Sequence, residues 1–192
     1  MNVLRTIEVQ DAGQLCVGDI IGFEMTDGEK VEAMAVKQED DCTIFCLVDC
    51  LRKEYQMNKT FTNRGGYAAS ALREKLNGEI LARFPTEIAE KMVPFANGDL
   101  LRLPTEKEIF GENKYGEEEP EEVVQWKPMK LRRNRIAFQG SNGDWEWYWL
   151  QNRLQDVASA TDFCYVATCG DCTYTSASDS RGVRPAFKIR NL

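Results

Sequence analysis

The chain has 192 residues, of which 43% are hydrophobic and 10% aromatic, so it suits one folded domain and not a disordered segment. Its formal net charge of −7 does not favour nucleic acid as a partner, because phosphate recognition needs a basic face. The absence of histidine removes the usual general base and the commonest metal ligand. With no apolar run of membrane-spanning length and no signal-peptide core, we expect synthesis in the cytoplasm and no membrane insertion.

The seven cysteines are an odd number in a chain without an export signal, so reduced thiols are expected. Cys169 and Cys172 have the C-x-x-C spacing of a zinc knuckle or a redox pair. Zinc would need two more ligands, which Cys42, Cys46 and Cys50 supply only if the fold brings them close. The sequence therefore favours coincidental small residues in a turn, and we predict no metal, no cofactor and no catalytic residue.

The first 55 residues have the pattern of a β-meander. Residues 15–25 predict a short strand pair with a turn at Gly18-Asp19, and Asp27-Gly28 predicts a second turn. An alternating strand follows from Lys30 to Val36. The apolar segment from Thr43 to Cys50 is rich in β-forming residues, which indicates a central strand.

Helical periodicity replaces the strand pattern from Ala68 to Phe84, where apolar residues recur at helical spacing. Gly78 weakens this helix by about 1 kcal/mol relative to alanine, so the helix is expected to bend or end there. Pro85 closes it, and Thr86 is predicted to cap a second short helix that runs to about Met92.

The middle of the chain is predicted to be mostly irregular. A brief strand at residues 100–103 leads to Thr105–Glu108, a capping box that opens a turn of helix ending at Gly111. Residues 111–130 are acidic and irregular, and the basic residues at 127–135 are expected to neutralise part of that charge. The order of elements predicts an α+β domain, residues 1–192, in which the two chain ends share a sheet.

The C-terminal part has an aromatic beginning, a polar middle and an apolar end. Lys, Glu, Gln, Met and Trp make up 48 of the 192 residues but are absent from residues 157–187. The aromatic beginning, Trp145 to Trp149, is interpreted as core in preference to a carbohydrate platform, with Trp147 and Trp149 on one face and Tyr148 on the other.

The apolar end is interpreted as structural. Arg184 is expected to hold a carboxylate or backbone carbonyls through its forked donors, and Gly182 to allow a close backbone approach. Pro185 follows directly. Together with Trp147 and Trp149, these residues are the predicted structural set.

Several motifs in this order resemble an uncharacterised domain family that is widespread in gut bacteria and their phages. The motifs are Gly18-Asp19, S-x-L-R-x-x-L-N at 70–77, L-x-L-P-T-x-x-E at 101–108, W-L at 149–150, A-x-x-F-C-x-V at 160–166, Gly170, Ala177 and G-V-R-P-A-F at 182–187. The resemblance implies a C-type-lectin-like fold related to that of formylglycine-generating enzymes. It implies two helices packed on small, mostly antiparallel sheets, with a loop-rich C-terminal half.

Some members of this family are variable proteins of diversity-generating retroelements, in which an error-prone copy overwrites a segment before the terminal motif. Changes at template adenines cannot produce Lys, Glu, Gln, Met or Trp from asparagine codons, which matches the depleted window. The resemblance thus implies a variable display region at about 151–181. Its predicted ligand contacts are Gln151, Arg153, Tyr165, Thr168, Asp171, Thr173, Tyr174, Ser176, Ser178, Asp179, Ser180 and Arg181.

The expected function is therefore ligand binding and not catalysis, with a protein or glycan on a target cell as the partner. Two alternatives remain open: an oxidoreductase of the formylglycine-generating type, which works through a cysteine pair and copper, and an invariant structural phage or host protein. Cys164, Cys169 and Cys172 lie near the tail but do not match the enzyme motif. The ligand, the oligomeric state and association with a virion are left open by the sequence.

Overall fold

The computed structural model describes residues 14–155 and 159–191, and these contain thirteen strands and three short α-helices. The strands are β1 (Ile20–Glu24), β2 (Lys30–Gln38), β3 (Cys42–Leu47), β4 (Tyr55–Gln56), β5 (Met92–Val93), β6 (Leu101–Arg102), β7 (Ala137–Phe138), β8 (Trp145–Glu146), β9 (Tyr148–Arg153), β10 (Asp162–Val166), β11 (Cys172–Ser176), β12 (Ser180–Arg181) and β13 (Ala186–Arg190). The helices are α1 (Ala71–Lys75), α2 (Thr86–Ala89) and α3 (Glu106–Phe110). Within the described ranges no helix is long and apolar enough to cross a membrane.

A six-stranded antiparallel sheet, here called the frame, curls into a half-barrel. Its order is β1-β2-β3-β13-β5, and β6 also pairs with β13. The early strand β3 and the last strand β13 lie side by side, so the two ends of the chain share a sheet as predicted. All six residues of β3 are buried, which explains its continuous apolar run.

The predicted β-meander is confirmed by β1, β2 and β3, which pair in sequence. Gly28, with φ of 83°, makes the turn between β1 and β2 that Asp27-Gly28 predicts. The expected strand pair at residues 15–25 is wrong in one respect. A turn at Gly18 leads into a single strand, β1, which pairs with β2 and not with residues on its own N-terminal side.

The helical segment predicted at 68–84 is present, but its helix type changes along its length from α to π to 3-10. Ser70 caps α1 by accepting a hydrogen bond from the backbone N–H of Arg73, at 3.2 Å. A π-helical turn follows over Leu76–Ile80 and contains Gly78, and a 3-10 turn ends at Arg83. The second helix, α2, is shorter than predicted, and Pro85 stands at its cap position in place of Thr86.

The capping box at Thr105–Glu108 is confirmed: Thr105 accepts from the N–H of Glu108, and the Glu108 carboxylate accepts from the N–H of Thr105. Gly111, with φ of 85°, ends the helix as predicted. Residues 111–130 are mainly irregular up to a 3-10 turn at Lys127–Lys130. Among the described residues the ion pairs do not join the acidic run to the basic one, because Glu117 pairs with Arg153 and Arg132 with Asp171.

A second sheet, β11-β10-β9, carries most of the predicted display region and has hydrophobic residues buried on both of its faces. Trp149 and Phe163 contribute to the core that also contains Phe45 and Phe187 of the frame. Cys164 and Val166, which point the opposite way on β10, contribute to a core with Trp126 and Met129. The frame and this sheet therefore form one mixed α+β body with few helices and mostly antiparallel strands.

Candidate functional site

The predicted structural residues fix where β9 meets the frame. Arg184 is 1% exposed, and its guanidinium donates to the backbone carbonyls of Leu47 (2.5 Å) and Asn134 (3.0 Å) and to the Tyr148 hydroxyl (3.1 Å). Backbone carbonyls are one of the two partner types that the sequence indicates. The Pro185 carbonyl accepts from the N–H of Leu47 at 3.0 Å, which leads the chain into β13.

Gly182 allows the close approach that the sequence predicts. Its N–H donates to the Trp147 carbonyl at 2.7 Å, and its carbonyl accepts from the N–H of Trp149 at 3.2 Å. A Cβ at this position would lie 2.5 Å from Cγ of Glu146 and 2.6 Å from Sγ of Cys50. Side chains larger than hydrogen are therefore excluded here.

The tryptophan cluster is divided between core and surface, which corrects the prediction that it is core. Trp149 is fully buried and donates its indole N–H to the Tyr55 carbonyl at 2.8 Å. Trp147 is 40% exposed and Trp145 68% exposed. The predicted sides are observed, since Trp147 and Trp149 both contact Tyr165 while Tyr148 turns to Arg184.

Glu146, between the two exposed tryptophans, is itself buried. Its Cγ packs against Gly182, and its carboxylate accepts from the N–H of Trp147 at 2.7 Å. Burial raises the pKa of Glu146, and the nearby Glu54 carboxylate adds to the effect. Because alternate residues of an extended segment point to opposite sides, Trp145 and Trp147 lie on the side opposite Glu146.

The twelve predicted ligand contacts are all exposed or partly exposed. The buried residues that the structure describes within 151–181 are others, namely Asn152, Phe163, Cys164, Val166, Gly170, Cys172 and Ala177. Most polar positions on this segment therefore face solvent, while the interleaved positions hold the sheet to the core.

Most of the twelve predicted contacts lie in three separate places in the structure. Tyr165, Thr173, Asp179 and Arg181 lie on the side of Trp147, where Thr173 faces Tyr165 across the strands and Asp179 pairs with Arg181 at 3.5 Å. Tyr174 lies on the opposite face of β11, with its ring centroid 5.4 Å from that of Tyr115.

The third group is the turn between β10 and β11, which contains Thr168 and Asp171. Arg132 braces this turn by donating to the Cys169 carbonyl at 2.6 Å and pairing with Asp171 at 3.1 Å. Cys169 is exposed here whereas Cys172 is buried, so the two thiols of the C-x-x-C motif lie in different environments.

The remaining predicted contacts lie outside these groups. Gln151 donates its amide to the Leu103 carbonyl at 2.5 Å, and Arg153 pairs with Glu117, so both join β9 to the middle of the chain. Ser176 and Ser178 hydrogen-bond to each other at 3.0 Å in the turn after β11. Ser180 accepts from Arg181 through its carbonyl at 2.6 Å.

The group around Trp147 has several contacts between exposed or partly exposed aromatic rings and a cation. We call Trp147, Tyr165 and Arg181, with the neighbouring Trp145 and Phe138, the aromatic surface. The Arg181 guanidinium lies 4.8 Å from the Trp147 ring centroid and 5.2 Å from that of Tyr165, and these two rings are 6.3 Å apart. Phe138 is directly opposite Trp145 in the β7–β8 pair and is 37% exposed. The arrangement combines large contact area with one cation held over two aromatic faces.

The sequence did not indicate three residues that contact the C-terminal part of the chain in the structure. Phe138 lies outside the depleted window, and its exposure depends on a pairing with Trp145 that local pattern does not reveal. Tyr115 lies in the irregular region, where no periodicity indicates which side chains meet. Glu106 is completely buried next to Cys172, although its place in a capping box suggests an exposed helix start.

Comparison of the chain with protein-family models, with curated proteins and with solved structures gave no match. Function is therefore inferred below from the geometry and chemistry of these surfaces.

Proposed function

We propose that the chain is a ligand-binding protein that recognises its partner through the aromatic surface and the exposed side chains next to it. In this proposal it has a C-type-lectin-like fold and is the variable protein of a phage or prophage diversity-generating retroelement. The observation that carries the proposal is the cluster of Trp147, Tyr165 and Arg181 at the surface. Trp, Tyr and Arg are the residue types that dominate the energy of protein interfaces.

The distribution of buried and exposed positions supports a surface whose composition can change. The apolar positions of β10 and β11 are anchored in two cores, and the polar positions between them have mostly local partners. Substitution of a residue such as Thr173 or Ser178 leaves the core packing intact. A display surface needs this separation of buried and exposed positions, because substitutions at the contact residues must not destabilise the fold.

A protein ligand is favoured over a glycan. Sugars stack on open aromatic faces, but Arg181 already covers part of the faces of Trp147 and Tyr165. Exposed Trp145 and Phe138 extend the apolar area beside this cation. A mixed aromatic and cationic area of this type suits an acidic or aromatic patch on a protein.

The first test is binding to arrays of surface proteins and surface glycans from gut bacteria, with purified protein as the probe. We expect binding to protein spots that the double variant Trp147→Ala/Arg181→Ala loses at least ~10-fold, since interface hot spots each contribute about 2 kcal/mol or more. The matched control is Ile20→Ala, which removes another exposed hydrophobic side chain (49% exposed) on β1, at the edge of the frame.

Equal binding by the wild-type chain and the double variant would refute the assignment of the aromatic surface. Binding to glycan spots alone would refute the protein ligand. Copper-dependent turnover of a cysteine-containing peptide would favour the alternative enzyme and count against a pure binding function.

The second test is sequencing of the gene from several isolates. Diversification predicts that positions 157–181 vary more than the rest of the chain, while Phe163 and Val166 remain apolar. It also predicts a template repeat near the gene. Uniform variation along the chain, with no such repeat, would contradict the proposal that the chain belongs to a retroelement. Ligand binding would then still be tested by the array experiment.

A further inference from the structure

A buried cluster of one carboxylate and two thiols lies on the face of β10 and β11 that points away from the aromatic surface. It consists of Glu106, Cys164 and Cys172, whose potential ligand atoms are all within 4.8 Å of one another. Glu106 and Cys164 are fully buried, and Cys172 is 7% exposed. The binding proposal makes no use of these three groups.

The carboxylate is fixed before any ion arrives. Glu106 is the first residue of α3, and its Oε1 accepts from the backbone N–H groups of Lys114 (3.2 Å) and Tyr115 (3.0 Å). Its Oε2 accepts from the N–H of Gly116 at 2.8 Å, and a Cβ on Gly116 would lie 2.6 Å from this oxygen. Three backbone donors thus hold a buried negative charge at a defined position.

The thiol of Cys172 points at this carboxylate and donates to Oε1 at 2.9 Å. Without an ion, the thiol proton between sulfur and oxygen closes the cluster. A cation that prefers thiolate can replace this proton.

The register of the strands argues against a disulfide between the two cysteines. Cys164 is directly opposite Tyr174, and Cys172 is directly opposite Val166, so the cysteines are diagonal neighbours. Diagonal neighbours in antiparallel strands are about 7–8 Å apart, which is beyond the usual span of a disulfide. A shared ion requires sulfur atoms only about 3.8 Å apart, as follows from zinc–sulfur bonds of about 2.3 Å in a tetrahedron.

We propose that Glu106, Cys164 and Cys172 bind a zinc ion. Two thiolates and one carboxylate suit zinc, because softer ions prefer sulfur alone and harder ions prefer oxygen alone. Binding one Zn²⁺ releases the two thiol protons to solvent and forms two sulfur–zinc bonds and one oxygen–zinc bond. Three protein ligands leave a fourth position, which is the pattern of an open zinc site.

A cleft lies beside the residues that hold the cluster. Lys114, Tyr115, Leu154, Gln155 and Tyr174 line this cleft of about 360 Å³. Tyr115 and Lys114 hold Glu106 through their N–H groups, and Tyr174 is opposite Cys164. The bound ion would join the β10–β11 hairpin to the start of α3 and to the segment 114–116.

The test uses the full chain with the exposed thiols removed, Cys16→Ser/Cys169→Ser, and zinc chloride or cobalt chloride as the probe. We expect one zinc per chain, release of about two protons per zinc, and a zinc-dependent rise in Tm. Cobalt should give the absorption of a tetrahedral site with thiolate charge-transfer bands. Cys164→Ser and Cys172→Ser in this background should each weaken zinc binding at least ~100-fold.

The matched control is Cys46→Ser in the same background, which removes another fully buried cysteine outside the cluster and should leave one zinc per chain. Zinc binding that persists in Cys164→Ser and Cys172→Ser would overturn the proposal. An octahedral cobalt spectrum of the Cys16→Ser/Cys169→Ser protein, or its failure to bind zinc, would also overturn the proposal. This result does not depend on whether the Cys164→Ser and Cys172→Ser variants fold. These results are independent of the array experiment, because the aromatic surface contains none of the three ligands.

Discussion

Arg181 and Arg184 are three residues apart and have opposite environments. Arg184 is 1% exposed, and its acceptors are neutral oxygens of β3, of β9 and of the 3-10 turn that ends at Asn134. Arg181 is partly exposed, covers two aromatic rings, and has an Nε atom that is buried without a hydrogen-bond partner. One arginine therefore maintains the fold, and the other is available for a ligand.

The difference allows stability and the proposed recognition to be tested separately at two positions a short distance apart. Gly182 lies between the two arginines and is hydrogen-bonded to Trp147 and Trp149, so the chain passes from surface to core within one residue. Substitutions on the Arg184 side should change the free energy of unfolding. Substitutions on the Arg181 side should change binding.

The largest expected effect is that of Arg184→Ala. The substitution leaves the carbonyls of Leu47 and Asn134 without this donor and opens a cavity, so we expect a loss of about 3–5 kcal/mol in the free energy of unfolding. Urea unfolding followed by circular dichroism measures it.

Arg184→Met is the matched control, because it fills most of the volume and removes only the donors. Its loss should be smaller than that of Arg184→Ala. A loss below ~1 kcal/mol for Arg184→Ala would mean that the buried guanidinium does not hold the frame to β9.

The second effect compares two glycines. In Gly182→Ala the new Cβ would lie 2.6 Å from Sγ of Cys50 and 2.9 Å from the Trp147 carbonyl oxygen, so we expect a loss of about 1–3 kcal/mol. Gly78→Ala adds a methyl group to a helical turn with nothing within 4 Å and should stabilise the protein by about 0.4–1 kcal/mol. Thermal unfolding should show opposite signs, and equal shifts would contradict the close approach at Gly182.

The third effect is a pH dependence of the frame. Partial burial by itself would raise the pKa of Glu39, but the hydrogen bonds from Lys188 and Lys37 outweigh this effect. The net result is a pKa lowered from 4.5 to about 2. A depressed pKa means that this stabilisation is complete above pH 4.5 and is lost as the pH falls towards 2. We expect it to be about 1 kcal/mol after solvent screening.

The measurement is the free energy of unfolding as a function of pH for wild type and Glu39→Gln. The difference between them should shrink in acid. Glu146→Gln should behave in the opposite way, because the raised pKa of Glu146 makes its charged form unfavourable as the pH rises above 4.5. Parallel pH curves for all three proteins would contradict both assignments.

The smallest effect on stability is expected for Arg181→Ala. Loss of its contacts with Trp147 and Tyr165 should reduce the free energy of unfolding by about 0.5–1 kcal/mol. Urea unfolding beside Arg184→Ala tests this directly. A loss as large as that of Arg184→Ala would remove the distinction between the two arginines.

Local sequence patterns were sufficient for much of the frame. Alternation and turn residues predict β2 and β3 because each of these strands has a period of two or an unbroken apolar run between turns. The capping box at Thr105 and the stop at Gly111 were equally predictable, since both depend on residues within one turn of helix. The strand pair at 15–25 was not, because β1 pairs with the next strand, β2, and not within that segment.

The candidate site depended far more on distant contacts. The exposure of Trp147 could not be predicted from its type, since Trp149, on the same side of the segment, is fully buried. Nor could the cluster of Glu106, Cys164 and Cys172, whose members come from α3 and two strands of another sheet.

The sequence by itself determined the strand and helix types, the polar character of the C-terminal segment and the need for a small residue and an arginine at its end. Only the tertiary structure decided which of those side chains meet and which face solvent. The physical reason is that periodicity and capping act over a few residues, whereas burial is set by whatever the chain packs against.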